Sequence, residues 1–474
     1  MPGESDIVIV AINARYSHCA FAARTLMANL GALQKRAEII EADTDVQPFQ
    51  LAAAVAARRP QIAGFSVYLW NAARVRETAL ILRRVSPRTQ IVLGGPEIVP
   101  GDHARWDGVA DARVTGEGES AFRALCAEAL AGGTLCGTDG AARRVCGAPA
   151  DPTDVALPYS LYTADDLARR TVYVESSRGC PFGCVYCTSN RTPFRCFDPA
   201  RLAEAFDSLI ARGVRAFRFL DRSFNADENH ACAMLDLFLA RHPGRFQIHL
   251  EILPRRFGSR LRQTLAAFPP GTLHLEIGVQ TLNPAVAHSI GRSSDIEHVL
   301  DALAFLIREA RATVHADLIF GLPGEDEASF AAGFDRLVIE LDPPELQVNL
   351  LKGLPGTPLA APGFAPELVF NPNPPYELLR SDVLDFNTVV RMQDFARCWD
   401  LVHNRGRFPE AARAIWARDT TSPYACYRAL SERILAAEGR LYALGARKIG
   451  DHLDAFLQER ARGTTPHIPT PRTI

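Results

Sequence analysis

The sequence predicts an α/β protein of three parts. These are a Rossmann-like parallel-sheet domain over residues 1–130, a partial (β/α)6 barrel over 171–360 after a linker over 131–170, and a mostly helical C-terminal domain over 361–474. Three observations predict it. Strand-length runs of continuous apolar residues alternate with helical segments through the first 130 residues, the pattern of a parallel sheet covered on both faces. A break rich in Gly, Thr, Asp and Pro follows, and then a second alternating block. Beyond residue 360 the strand pattern stops, and the remaining segments are helical and rich in Arg, Ala and Leu.

In the first block the strands are DIVIVAIN (6–13), EIIEAD (38–43), QIAGFSVYL (61–69), QIVLGGPE (90–97) and the short ARVTGEGES (112–120). Helical periodicity separates them, most clearly in ARVRETALILRRV (73–85). Open parallel sheets bind ligands at the carboxyl ends of their strands. Those ends carry Asn13, Ser66, Gly94, Gly95, Gly116 and Gly118, small or polar residues that let a ligand approach the backbone. In the second block TVYVES (171–176), AFRFLD (216–221), FQIHLEI (246–252), HLEIGVQ (274–280), TVHADLIFG (313–321) and LQVNLL (346–351) read as strands. Six units fall short of the eight of a complete barrel, and an open doubly wound sheet is the alternative. The tail RARGTTPHIPTPRTI (460–474) reads as a frayed end.

Composition narrows the function. The 52 basic residues against 54 acidic ones leave no global field for a polyanion, so no nucleic-acid partner is expected. No run of 18 uncharged apolar residues is present, and the first residues lack the basic region of a signal peptide. A cytoplasmic protein with no membrane partner is the expectation. In such a chain 11 cysteines point to metal or redox chemistry rather than a disulfide framework.

Directly after the first strand of the second block stands ESSRGCPFGCVYCTSN, in which Cys180, Cys184 and Cys187 form Cys-x3-Cys-x2-Cys. Thiolates this close in one loop converge on a metal centre, and soft sulfur selects zinc or iron–sulfur. A structural zinc site wants four ligands, and the nearest spare is Cys196. Three thiolates fit a cubane that leaves one iron open.

This motif, with Tyr186 just before its last cysteine, resembles that of the radical S-adenosylmethionine (SAM) superfamily. The resemblance implies a 4Fe–4S cluster on Cys180, Cys184 and Cys187 whose open iron chelates SAM, and an electron donor such as flavodoxin or ferredoxin. It also implies SAM contacts from Tyr186, from Glu276 and Gln280 in LEIGVQT, and from Gly321 and Gly324 in DLIFGLPGED. FLDRSFN (219–225) stands where relatives have a Gly-Gly-Glu motif, which makes Asp221 the candidate there. Asp317, on the fifth strand two residues after His315, is the candidate acid–base group.

The first block resembles the cobalamin-binding domain of cobalamin-dependent radical SAM proteins, through Ser66, Gly94-Gly95 and GEGE (116–119). The family's Asp-x-His-x-x-Gly motif is replaced by NARYSHCAF, which offers His18 without the carboxylate that orients a ligating imidazole. Asn13 and His18 are therefore expected as pocket residues, with no protein ligand on cobalt. The resemblance implies methylation of an unactivated carbon (or phosphorus) centre of a small molecule or peptide, via methylcobalamin and a 5′-deoxyadenosyl radical. Cyclisation, oxidation or rearrangement with the same cofactors is the alternative, and a non-catalytic cobalamin or cluster sensor a third reading.

Overall fold

The computed structural model describes residues 5–462 except 102–103, 138–139, 242, 255–256, 293–294 and 417–421. The tail expected to fray lies, from residue 463 on, outside the described residues.

The first sheet contains β1 (Ile7–Asn13), β2 (Ala37–Asp43), β3 (Ile62–Ser66), β4 (Gln90–Gly94), β5 (Ala112–Gly116) and β6 (Arg143–Gly147). They pair in the order β2-β1-β3-β4-β5-β6, all parallel. All seven residues of β1 are buried, as its unbroken apolar run requires. The strand order reverses between β1 and β3, which opens a crevice beside Asn13 and Ser66, the last residues of those strands. β6 lies inside the stretch read as a linker. Its RRVCG sequence alternates in burial as an edge strand does, and so carries no apolar run to announce it. It fits only through two glycines: a Cβ on Gly147 would sit 1.7 Å from the Glu117 carbonyl oxygen, and one on Gly116 2.4 Å from that of Gly147.

The second block holds β7 (Tyr173–Val174), the antiparallel hairpin strands β8 (Ser177–Cys180) and β9 (Thr192–Cys196), then β10 (Ala216–Phe219), β11 (Gln247–Glu251), β12 (Leu273–Gln280), β13 (Thr313–Phe320) and β14 (Glu345–Leu350). Its main sheet runs β14-β13-β12-β11-β10-β7, all parallel. Sequential order without a reversal is that of a barrel arc, which decides against the doubly wound alternative. In β12, Leu273, Leu275, Ile277 and Val279 are buried, whereas His274, Glu276, Gly278 and Gln280 are half-buried and face the other way. The buried face packs under helices such as Ile296–Arg308, capped by Asp295, whose side chain accepts from the Glu297 and His298 amides. Phe206, Phe217, Phe219 and Phe238 form an aromatic cluster at centroid distances of 5.1–6.1 Å.

The C-terminal region is mostly helical, with helices Phe386–Trp399, Pro423–Glu438 and Ala446–Ala461. It shares one apolar core with the barrel and closes its exposed edge. The Leu346 carbonyl of β14 accepts from Trp399 Nε1 (2.7 Å) and Asn404 Nδ2 (3.0 Å), and the Leu346 amide donates to Asn404 Oδ1 (3.1 Å).

Candidate functional site

Cys180 ends β8, and the hairpin sets the loop that carries the other two cysteines. Gly179 (φ +83°) allows the strands to close, because a Cβ there would lie 2.0 Å from the Pro193 carbonyl oxygen. The Cys180 amide donates to Thr192 Oγ1 (2.9 Å), the Cys187 amide to the Cys184 carbonyl (3.1 Å), and Asn190 Nδ2 to the same carbonyl (2.8 Å). Cys196 pairs with Ser177 at the far end of the hairpin, whereas Cys180 pairs with Thr192. That offset is three residues, about 10 Å of strand.

The loop is tied to the barrel by Arg292, a half-buried residue that no sequence motif marks. Its Nη1 donates to the Tyr186 hydroxyl (3.3 Å) and its Nη2 to the Gly278 carbonyl (2.5 Å). Burial opposes the charge, yet Tyr186, Cys184 and Cys180 keep the guanidinium firmly protonated. A cation here offsets the negative charge that three thiolates bring.

The other residues expected to contact SAM divide. Gln280 sits at a bulge in β12 with φ +71°, and its Oε1 is buried without a hydrogen-bond partner. Such an atom awaits a donor. Glu276 Oε2 accepts from His249 Nε2 (3.0 Å) and lies 3.5 Å from Arg218, and the His249 bond holds its carboxyl below the ordinary range. Gly321 and Gly324 adopt φ +85° and +75°; a Cβ on Gly321 would meet Leu378 at 2.4 Å, while the space beside Gly324 is open.

Asp221 does not present a free carboxylate. It is wholly buried, and accepts from the Ser176 amide (2.9 Å), Ser176 Oγ (2.7 Å) and Ser177 Oγ (2.6 Å). Burial pushes its carboxyl up. It organises the turn between β7 and β8 instead. Asp317 accepts from Asn349 Nδ2 (3.2 Å) and stands 3.4 Å from His315, away from the residues that line the cavities described next.

Those cavities lie between the two sheets. One, of about 470 Å³, is lined by Ser66, Gly94, Gly95, Gly116 and Gly118 together with Arg178 of the hairpin. The adjoining one, of about 570 Å³, is lined by Asn13, His18 and Ser66 from the first domain and by Tyr173, Arg218 and Glu251 from the barrel. All seven first-block candidates thus line one or other of these two cavities, which share Ser66, Tyr68 and Arg222 in their walls. Gly95 holds its turn at φ +107°, where a Cβ would lie 2.5 Å from the Val67 carbonyl oxygen. A Cβ on Gly94 would meet only Val114, at 3.7 Å or more. Asn13 Nδ2 donates to Glu41 Oε1 and to the His18 carbonyl, both at 2.8 Å. His18 Nδ1 is hydrogen-bonded to the Tyr173 hydroxyl, and burial with Arg218 nearby keeps the ring neutral.

Two ion-pair networks hold the cavity walls together. Arg24 and Arg170 bridge Glu41 to Asp166, and Arg178 joins Glu175 of the barrel to Glu117 and Glu119 of the GEGE segment. Arg195 of β9 also pairs with Glu117. The carboxylates of GEGE therefore dock the cysteine hairpin, a role its sequence does not reveal.

Two predictions arise here. With His18 engaged by Tyr173, His18→Ala should leave the paramagnetic spectrum of bound cob(II)alamin unchanged; a loss of nitrogen hyperfine structure would show that the imidazole ligates cobalt. Glu251 gives a pH signature. Burial pushes its carboxyl from 4.5 up to about 7, with Arg222 opposing and Glu276 adding to the rise. A folded-state value above the unfolded one contributes stability that is complete below about 4.5 and is lost as pH rises through about 7. The loss is at most about 3 kcal/mol. Glu251→Gln removes that loss, so its melting temperature should gain on the parent's by several degrees between pH 5 and 8.5. Parallel melting curves across that range would contradict the assignment.

The geometry meets the needs of an iron–sulfur cluster and of a large ligand held between the two domains. Three thiols share one loop, the Arg292 cation stands beside them, Gln280 of the same barrel keeps a buried, unpartnered amide oxygen, and a glycine-lined cavity lies beside Ser66. Comparison with known proteins agrees. Residues 7–126 match the B12 binding domain, 174–337 the Radical SAM superfamily, and 367–461 a family described as a protein of unknown function (DUF4080). The chain is 26% identical over 339 residues to a 2-(S-pantetheinyl)-carbapenam-3-carboxylate methyltransferase of Streptantibioticus cattleyicolor, covering 64% of this chain and 48% of that one. It is 25% identical over 338 residues to the cobalamin-dependent radical SAM methyltransferase TokK of Streptomyces tokunonensis, with the same coverage. It thus spans about half the length of these curated relatives. The fold is similar to that of TsrM from Kitasatospora setae with cobalamin and a [4Fe-4S] cluster bound (TM-score 0.62, 17% identity, 97% of this chain and 100% of that one). It is also similar to that of OxsB with aqua-cobalamin bound (TM-score 0.64, 14% identity, 97% and 76%). The cofactors are accordingly cobalamin, a 4Fe–4S cluster and SAM. With these two domains joined in one chain, the protein belongs to the cobalamin-dependent radical SAM proteins.

Proposed function

We propose that this protein is a methyltransferase that uses SAM to methylate an unactivated carbon, or phosphorus, centre of a small polar molecule or peptide. The observation that supports it best is the shared chamber: His18 and Ser66 of the first domain face the same space as Tyr173, Arg218 and Glu251 of the barrel, beside the cysteine loop. When bound there, the cofactors supply a transferable methyl group and a carbon radical able to remove an unactivated hydrogen.

The chain's own residues hold and shield. Arg292 fixes the spacing between the cysteine loop and β12. Gln280 offers its buried Oε1 to a donor on SAM. Arg218 and Arg222 line the chamber and suit a substrate with an anionic group, and Glu251, holding a proton up to about pH 7, can donate a hydrogen bond without adding a second charge. A flavodoxin- or ferredoxin-type donor supplies the electron.

The test uses methyl-labelled SAM, a reductant and a metabolite extract of the producing cells under anaerobic conditions. Methylation yields labelled product, S-adenosylhomocysteine and 5′-deoxyadenosine together. Deoxyadenosine alone would favour cyclisation, oxidation or rearrangement, and neither product would leave the sensor reading.

A further inference from the structure

Near the N-terminal ends of the barrel strands, away from the cysteine loop, three side chains converge that neither the cluster nor the chamber uses. His274 lies on β12, His315 on β13 and Glu345 on β14, three neighbouring strands. Glu276, His315 and Glu345 are in register, and His274, two residues before Glu276, points to the same face. One ligating atom from each of His274, His315 and Glu345 lies within 4.8 Å of the other two.

We propose that His274, His315 and Glu345 bind one divalent transition-metal ion, with zinc the best match, at a site separate from the iron–sulfur cluster. Two imidazoles and a carboxylate are the donor set of zinc and its first-row neighbours, whereas magnesium and calcium take oxygen ligands. Bonds of about 2.0–2.2 Å place tetrahedral ligand atoms roughly 3.4 Å apart, so closure needs side-chain rotations of about an ångström and no strand movement.

The surrounding groups are arranged as supports. His315 Nδ1 is 3.6 Å from Glu345 Oε2, while its Nε2 is 3.4 Å from Asp317 Oδ1. That Nε2 is buried and lacks a well-formed hydrogen bond. If the ring turns its Nδ1 to an ion shared with Glu345, Nε2–H comes into line with Asp317, as a carboxylate orients a ligating histidine. Asp317 is itself held by Asn349. On the other side His274 stacks on His249 (4.7 Å, 21°), which is fixed by Glu276. Three protein ligands leave a coordination position for water or an oxygen-bearing ligand, the pattern of an open rather than a structural site.

The test titrates chelator-treated, cluster-loaded protein with zinc against a chromophoric chelator, with cobalt(II) as the spectroscopic probe. One equivalent of zinc should bind without loss of iron, and cobalt should give visible bands free of sulfur charge transfer. His274→Ala and Glu345→Gln should each weaken binding at least 100-fold. Asp317→Asn, acting only through His315, should weaken it about 10–100-fold at unchanged stoichiometry. The full-length protein with Cys180, Cys184 and Cys187 all changed to Ala should keep the zinc site, which excludes empty thiolates as its source. Cobalamin retention and circular dichroism check that each variant is folded. Failure to bind zinc more tightly than about 10 μM, or binding untouched by both His274→Ala and Glu345→Gln in folded protein, would overturn the proposal and leave these residues as a charge layer closing the barrel floor.

Discussion

Gly94→Trp protein should emerge from anaerobic purification with its full iron content and no cobalamin. The two adjacent glycines differ in what they test. Gly95 needs its positive φ and touches the Val67 backbone, so a side chain there disrupts the turn itself. Gly94 ends β4 with ordinary backbone geometry and only van der Waals contact to Val114, and it opens onto the 470 Å³ cavity. An indole at this position fills ligand space at a cost to the fold of about 1–3 kcal/mol. Cobalamin affinity should fall at least 1,000-fold, measured by corrin absorbance per chain after gel filtration. Deoxyadenosine should still form, because Cys180, Cys184, Cys187 and Gln280 belong to the other domain, but methylated product should be absent. Retained cobalamin would place its site elsewhere.

The reciprocal variant has the other large effect. Cys184→Ala, and equally Cys180→Ala or Cys187→Ala, should reduce iron from about four per chain to background and remove all deoxyadenosine formation. Cobalamin binding should persist, since its cavity is lined mainly by the first domain. Cys196→Ala should leave iron unchanged. That thiol lies at the opposite end of the hairpin, and burial with Asp227 and Asp221 nearby pushes it up to about 12, which makes it a poor thiolate. A full cluster in Cys184→Ala protein would refute the ligand assignment.

Both experiments use the full chain for a structural reason. A fragment ending near residue 135 would lack β6, leaving β5 as a bare edge, and would lack Arg178 and Arg195, which pair with Glu117. It would also lose the Tyr173 and Arg218 wall of the chamber. An excised first domain has to run past Gly147 to keep its sheet, and it should still bind cobalamin more weakly than the whole protein.

By itself the sequence determined whatever depends on neighbours along the chain. Cys-x3-Cys-x2-Cys is a local spacing, and one loop can close it on a metal. Among the described strands of the two parallel sheets, all but β6 were legible as strand-length segments: β1 and β3 as unbroken apolar runs buried on both faces, β12 and β13 as alternation between a buried and a half-buried face. Small residues at strand ends marked Ser66, Gly94 and Gly116, which line one cavity. Tertiary structure alone decided what depends on partners far apart in sequence. Strand order, not strand content, separated the barrel arc from a doubly wound sheet. β6 stayed hidden because an edge strand needs no apolar run. Asp221 became a structural anchor because Ser176 and Ser177, 45 and 44 residues earlier, satisfy both its oxygens at a fully buried position. Arg292 and Glu251 carry no motif. Their charge states are set by the groups buried around them, and only the fold brings those groups together.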